Sequence, residues 1–343
     1  MMKVSLVNGG VTRTQEWGEM DLSKGIPPCE GTALSFVGWG TPATVKQAGL
    51  EIKGTEVPQL WLCNHSEAFP PIWLRWSLSG APTRLLRRNG LTLGVCYSDA
   101  HADYCLLTGV LPKDLTASRA DQTTSLFEGI EETLAEAGMT FSDVARTWLY
   151  MDNILEWYDP FNRARDAFFT SRHIYDGRVP ASTGIGSANL YGAAISACAL
   201  AVKPKNSQTT LQIVESPLQC SALSYRSSFS RAIEIATPDY RTLLISGTAS
   251  IEPHGATAFV DDVENQIQLT MDVVKAILES RGMSWADTTR AIMYLKKPEY
   301  MPIWKAWLQK NNLTALPMVT IEADVCRDNL LVELELDAVK KIL

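Results

Sequence analysis

The chain contains an internal repeat, which restricts the possible folds more than composition does. The stretch YCLLTGVLPKDLTASRADQTTSLFEGIEETLAEAGMTFSDVARTWLYMDN runs from Tyr104 to Asn153. It is answered by LLISGTASIEPHGATAFVDDVENQIQLTMDVVKAILESRGMSWADTTRAIMYLKK, from Leu243 to Lys297. Gly109 corresponds to Gly247. After a short insertion Gln122 corresponds to Gln266, Gly138 to Gly282, Asp143 to Asp287, Arg146 to Arg290 and Tyr150 to Tyr294, all at one offset. Self-similarity over about fifty residues implies two copies of one supersecondary unit, each packed against its neighbour.

Each copy reads as an α+β unit. An apolar strand ends in glycine (LLTG, LLISG) and a polar loop follows. In the second copy Val263, Ile267, Leu269, Met271, Val274, Ile277 and Leu278 then give a largely 3–4 spaced apolar face, the mark of a helix lying on a sheet. Gly138 and Gly282 suit the left-handed position that ends a helix. A strand (VARTWLYM, TTRAIMYL) and a second helix (DPFNRARDAFF, MPIWKAWLQK) come next. A strand pair opening at Pro180 or Pro317 closes the unit. The order is β-β-α-β-α-β-β, with helices on one face of a sheet. Residues 1–95 lack this pattern; Gly and Pro break their apolar runs (LSFVGWG, FPPIWLRWSLSG), and they read as a β-rich extension. The expected division is therefore 1–95, 96–204 for the first unit and 205–343 for the second, with KPKNSQTT as the linker.

Charge and motif content narrow the function. A net charge of −7 lacks the basic footprint of a nucleic-acid binder, and an anionic ligand needs local positive groups. The seven cysteines form no CxxC pair and mostly sit in apolar runs, which predicts reduced thiols in a cytoplasmic protein. The N-terminal residues show no secretory apolar core, and no stretch is long and apolar enough for a membrane span. The four histidines make no metal-binding spacing, and neither GxGxxG nor GxxxxGK[ST] occurs in the context that binds a nucleotide. No cofactor is expected, and the partner expected is a small anionic molecule.

The tail CRDNLLVELELDAV carries the most suggestive chemistry. Glu333 and Glu335 lie two residues apart on a strand and so share a face. Burial raises a carboxyl pKa, and a carboxylic acid kept protonated near neutral pH is a usable general acid. Such an acid suffices to protonate an enol ether at its methylene carbon. Glu333 is the candidate; Glu335 is expected on a solvated face. Arg327 suits forked contact with a carboxylate, or else a surface pair with Asp324 or Asp328. Arg226 and Arg231 would add positive charge for a dianion, and Tyr225 a hydroxyl donor. Gly247, Thr248 and Ala249 offer a pocket floor. Cys326 either faces the ligand or fills core.

These motifs resemble the Rid family, also called YjgF, over roughly residues 100–202 and 218–340. In the second copy SYRSSFSRA, SGTASIEPH and DVCRDNLLVELE resemble the chorismatases, two-domain Rid-fold enzymes that split chorismate into pyruvate and a cyclohexadiene or hydroxybenzoate. The resemblance implies a chorismate-mutase-like α+β fold and a homotrimer with clefts between subunits; a monomer with internal pseudo-symmetry is the alternative. It places Glu333 at the family's site carboxylate. Aligning Pro180 with Pro317 puts Ser196 opposite Glu333, which leaves the first copy degenerate and one working site in the second. Rid imine deaminases carry an arginine two residues after the strand-opening proline, where this chain has Ser182 and Val319. The expectation is a cofactor-free hydrolase or lyase of chorismatase type. The alternatives are an imine or enamine deaminase and a non-catalytic ligand-binding protein.

Overall fold

Strands from three consecutive segments gather into three six-stranded sheets. The computed structural model describes all residues except 9, 22–27, 48–55, 65, 226 and 343. The N-terminal segment contributes β1 (Met2–Asn8), β2 (Val11–Glu19), β3 (Thr32–Gly40), helix α1 (Pro42–Gln47), β4 (Gln59–Cys63) and β5 (Ile72–Ser79). The middle segment contributes β6 (Thr83–Arg88), β7 (Leu91–Ser98), β8 (Ala102–Val110), α2 (Arg119–Glu136), β9 (Val144–Met151), α3 (Ile154–Ser171), β10 (Ala181–Gly186), the two-residue β11 (Ala188–Asn189) and β12 (Ile195–Pro204). The last segment holds β13 (Thr210–Val214), β14 (Ala232–Ala236), β15 (Tyr240–Ala249), α4 (Val263–Ser280), β16 (Thr288–Leu295), α5 (Met301–Lys310), β17 (Met318–Glu322) and β18 (Val332–Lys341).

The two repeat copies have one topology. Their sheet orders are β6-β7-β8-β12-β9-β10 and β13-β14-β15-β18-β16-β17, and only the last pair of each is parallel. The break expected at residue 95 falls inside β7, because β6 and β7 pair onto the middle sheet. The N-terminal sheet, β1-β2-β5-β3-β4 with β11 at its edge, follows the same plan. Its β2, β5, β3 and β4 stand where β15, β18, β16 and β17 stand, and β3 and β4 are again parallel. Only 12 residues, 20–31, separate β2 from β3, too few for a helix of 18 residues such as α4, so the 3.6-residue period that announces the other copies is missing from this one.

Local chemistry explains the helices. Ser118 and Asp262 cap α2 and α4 by accepting from the backbone N–H groups of Asp121 and Asn265. Gly138 and Gly282 follow them in the left-handed region, at φ 71° and 64°. Gln122 and Gln266 are buried and pin matching loops: Gln122 donates to Leu115 O and Ala117 O and accepts from Ala194 N–H. Gln266 does the same with Phe259 O, Asn329 O and Leu331 N–H. The outer face of the middle sheet packs on Leu126, Phe127, Ile130 and Leu134 of α2, and that of the last sheet on Ile267, Met271, Val274 and Ile277 of α4. The inner faces of all three sheets meet in one core that includes Trp39, Leu74, Tyr150, Leu200, Leu244 and Tyr294. Each such side chain contributes about 1.5–3 kcal/mol by leaving water. Among the described residues no helix is long and apolar enough to cross a membrane.

Strand register places the three sheets in correspondence residue by residue. Tyr294 pairs with Glu333 and Ile321, Tyr150 with Ser196 and Ile185, and Trp39 with Ile72 and Leu62. The position of Glu333 is thus serine in one sister sheet and isoleucine in the other.

Candidate active site

β18 lies between β15 and β16, so α4 covers one of its faces and the common core the other. Alternation turns Glu333, Glu335 and Asp337 to the inner face. Glu335, expected in solvent, is fully buried. The reason is the repeat itself: Arg146 of the first copy and Arg290 of the second both converge on it. Arg146 Nη2 donates to Oε2 at 3.0 Å, Arg290 Nη1 to Oε1 at 2.5 Å, and Trp148 Nε1 to Oε1 at 3.0 Å. Arg290 Nε also donates to Asp337 Oδ2 at 2.7 Å. Burial pushes the Glu335 carboxyl upward, but Arg290 and Arg146 outweigh it and hold the group below the usual range, as a carboxylate.

Glu333 behaves in the opposite way. It is 5% exposed, and its carboxyl makes no hydrogen bond or ion pair with another described residue. Burial, reinforced by the charge of Glu335 and opposed by Arg146 and Arg231, pushes its pKa up to about 8. Its Oε1 lies against Gly247, where a Cβ would sit 1.9 Å from that oxygen. Gly247 is therefore glycine because the carboxyl occupies the space of a side chain.

The cleft in front of Glu333 lies between the two repeat copies. Its inner chamber, about 50 Å³, takes Tyr158, Arg165, Ser182 and Gly184 from the first copy, and Tyr225, Arg231, Gly247, Ala249, Cys326, Arg327 and Glu333 from the second. An outer chamber of about 620 Å³ shares Tyr158, Tyr225, Ser227, Cys326 and Arg327 with it. Gly247 N–H donates to Thr183 Oγ1, the hydroxyl that also accepts from Arg146 Nη2, so the pocket floor is bolted to the neighbouring copy.

Three guanidiniums face this cleft. Arg231 is buried, donates to Cys220 O at 2.9 and 3.0 Å, and lies over the rings of Tyr225 and Phe229. Arg327 donates to Gly255 O at 2.8 Å and lies over Tyr225. Arg165, which sequence reasoning missed, is 3% exposed; its Nη2 donates to Asn162 Oδ1 and its buried Nε has no partner. None of the three pairs with a carboxylate among the described residues. The anticipated pairing of Arg327 with Asp328 does not form, since Asp328 pairs with Lys296. The signal for Arg165 was available: it occupies the apolar face of α3, spaced with Tyr158, Phe161 and Phe168 as a core residue would be.

Other anticipated residues divide. Tyr225 and Ala249 line the cleft. Thr248 does not: it is buried and its hydroxyl donates to Ser246 O. Arg226 lies outside the described residues. Cys326 lines the cleft, and burial and the nearby Glu333 push its thiol up to about 12, which favours the protonated form. Among the described residues no group of three or more His, Cys, Asp or Glu could hold a metal ion.

The site is thus a buried acid facing three guanidiniums, in a cleft between two units of one topology. Residues 220–340 match the model of the family described as endoribonuclease L-PSP, the Rid/YjgF family, and the C-terminal unit is of that type. The chain as a whole resembles the chorismatases. It is 25% identical to a 3-hydroxybenzoate synthase of Streptomyces hygroscopicus, over 96% of this chain and 98% of that protein. A crystal structure of a chorismatase matches with a TM-score of 0.73 at 20% identity, covering 95% of this chain and 98% of that one. These matches include the N-terminal segment, so the third sheet belongs to the shared fold.

Proposed function

We propose that the protein is a cofactor-free enzyme of chorismatase type, cleaving the enol ether of a small carboxylated ring compound such as chorismate. The observation that carries this reading is one buried carboxyl, Glu333, facing three guanidiniums that have no carboxylate of their own among the described residues. Overall the chain is anionic, yet the inner chamber gathers Arg165, Arg231 and Arg327, which suits an anionic substrate. The relatives named for chorismatase and 3-hydroxybenzoate synthase activity support the same class.

In the proposed reaction the enolpyruvyl group enters the inner chamber. Its carboxylate meets Arg165 and Arg231, and the ring carboxylate lies outward at Arg327 and Tyr225. Glu333 gives its proton to the methylene carbon, and the double-bond electrons form the new C–H bond. The adjacent carbon becomes an oxocarbenium ion, stabilised by the Glu333 carboxylate just formed. Water adds to that carbon and returns a proton to Glu333. The resulting hemiketal breaks its bond to the ring oxygen, which takes up the hydroxyl proton, and pyruvate leaves with a ring alcohol. Where a neighbouring ring hydroxyl adds instead of water, its proton goes to Glu333 and a cyclic ketal forms. Loss of one ring C–H proton with breakage of the adjacent ring C–O bond makes the ring aromatic, the freed oxygen takes up a proton, and the remaining hemiketal splits into pyruvate and a phenol.

The test is incubation with chorismate and a coupled assay for pyruvate, beside Glu333→Gln. Pyruvate from wild type and none from the variant is the expected result. Absence of pyruvate from folded wild type overturns the substrate, and undiminished turnover by the variant overturns the acid.

A further inference from the structure

Thr183, on β10 of the first copy, touches the surroundings of both β18 carboxyls. Its Oγ1 accepts from Arg146 Nη2 at 2.5 Å and from Gly247 N–H at 3.0 Å. Its hydroxyl also helps hold the Glu335 carboxyl in the charged form. Its methyl and Glu333 Oε1 crowd the space of the missing Gly247 side chain: a Cβ there would lie 3.2 Å from the one and 1.9 Å from the other. The Gly247 N–H is free to turn to Thr183 because of a β-bulge. β15 pairs with β18 in register up to Ile245 and resumes at Thr248, so Gly247 falls out of the ladder.

Register shows that the threonine goes with the acid. Thr183 pairs with Trp148, Val319 with Ile292 and Leu60 with Val37, corresponding places in the three sheets. β10 packs on β15, the neighbour of the strand that holds Glu333, and β4 packs likewise on β8, the neighbour of the strand that holds Ser196. At that second junction Gly109 lies against the backbone of Gln59, and the place of Thr183 is Leu60. The hydroxyl is present where the acid is and is replaced by an apolar side chain where the acid is serine.

A backbone N–H donated to a carboxylate favours the charged form. Without the threonine hydroxyl Arg146 Nη2 still has Glu335 Oε2, so the donor set free is the Gly247 N–H, on the residue against which Glu333 Oε1 already lies. The other titratable and charged groups around Glu333 are Glu335 on its own strand, Arg146 and Tyr294 on β9 and β16, Tyr158 and Arg165 on α3, and Tyr225, Arg231, Cys326 and Arg327 from the second copy. An exchange at Thr183 removes none of them.

We infer that Thr183 is a positioning residue of the site: by taking the Gly247 N–H it withholds that donor from Glu333 and so keeps the acid protonated. Its value to turnover rests on the function proposed above; its effect on Glu333 does not.

The test is infrared difference spectroscopy of the full chain against pH without substrate. Each protein is measured beside the same chain carrying Glu333→Gln, so that the carbonyl stretch of protonated Glu333 is read directly. Wild type should lose that band with a midpoint near 8. Thr183→Val, which removes the hydroxyl and keeps a methyl, should lose it at least about one pH unit lower, the worth of one hydrogen bond to a charged group. Thr183→Ser, which keeps the hydroxyl, should retain the wild-type midpoint. Thr183→Ala is the second variant should the valine chain fail to fold, and should move the midpoint the same way. A wild-type midpoint in the ordinary carboxyl range, an unmoved midpoint in folded Thr183→Val or Thr183→Ala, or an equal drop in Thr183→Ser overturns the inference. Absence of pyruvate from wild type overturns the proposed substrate instead, because the band is read without chorismate.

Discussion

Glu333 and Glu335 stand two residues apart on the same face of one strand, and they titrate in opposite directions. Glu335 has two arginines and an indole N–H for its two oxygens; Glu333 is buried with a charged neighbour and no donor among the described residues. Separating two carboxyls in this way assigns one as a fixed anion and the other as a proton carrier.

The first consequence concerns pH. Turnover that needs protonated Glu333 should hold below pH about 8 and fall tenfold per unit above it. Stability should follow the same group. Its folded pKa lies above the unfolded value, so the contribution is full below the ordinary carboxyl range and is lost as pH rises through about 8. Thermal melts between pH 5 and 9 should therefore fall more steeply for wild type than for Glu333→Gln. Parallel curves would contradict the shifted group.

Glu335→Gln removes the partner of two buried arginines. A loss of about 3–5 kcal/mol is expected in urea unfolding, because Arg146 and Arg290 are left sharing Asp337. The like charge beside Glu333 also disappears, so the upper limb of the pH–rate profile should move to lower pH. An unmoved limb would mean that Glu335 does not set the acid.

Arg165→Met tests the cation that comes from the first copy. Losing a charge-assisted bond to a substrate carboxylate should lower kcat/KM by about 10–100-fold, mainly through KM. Stability should hold or rise, since a buried, unpaired guanidinium is replaced by an apolar chain of similar length. Unaltered kinetics would exclude Arg165 from the substrate site.

Gly247→Ala probes the space the acid occupies. The added methyl meets Glu333 Oε1, the movable end of a side chain, so the fold should survive while the carboxyl is displaced. A kcat at least about 100-fold lower, with a melting temperature within a few degrees of wild type, is expected for a misplacement of about 1 Å. Retained kcat would show that the carboxyl need not lie against this glycine.

Much of the architecture was legible in the residue pattern because it is written in short-range signals. The 3–4 spacing of α4, the glycines after α2 and α4, and the common offset of Gln122, Arg146 and Tyr150 with their partners are all local. The N-terminal segment was harder to read. It follows the same sheet plan, but without the long helix its strands offer only short apolar runs. The cleft was legible in its second-copy half, where Glu333, Arg327 and Arg231 sit in recognisable motifs. Its other half comes from Tyr158 and Arg165, whose helix faces the site only because β10 packs against the second copy at Ser230 and Ser246.

The amino-acid order by itself determined the duplicated β-β-α-β-α-β-β unit and the alternation that turns Glu333 and Glu335 to one side, since periodicity and caps act within a few residues. Which of those two carboxyls keeps its proton was decided only in three dimensions. Arg146 and Arg290 lie far from Glu335 along the chain, and the electrostatic field that they impose exists only once the copies are packed together and water is excluded between them.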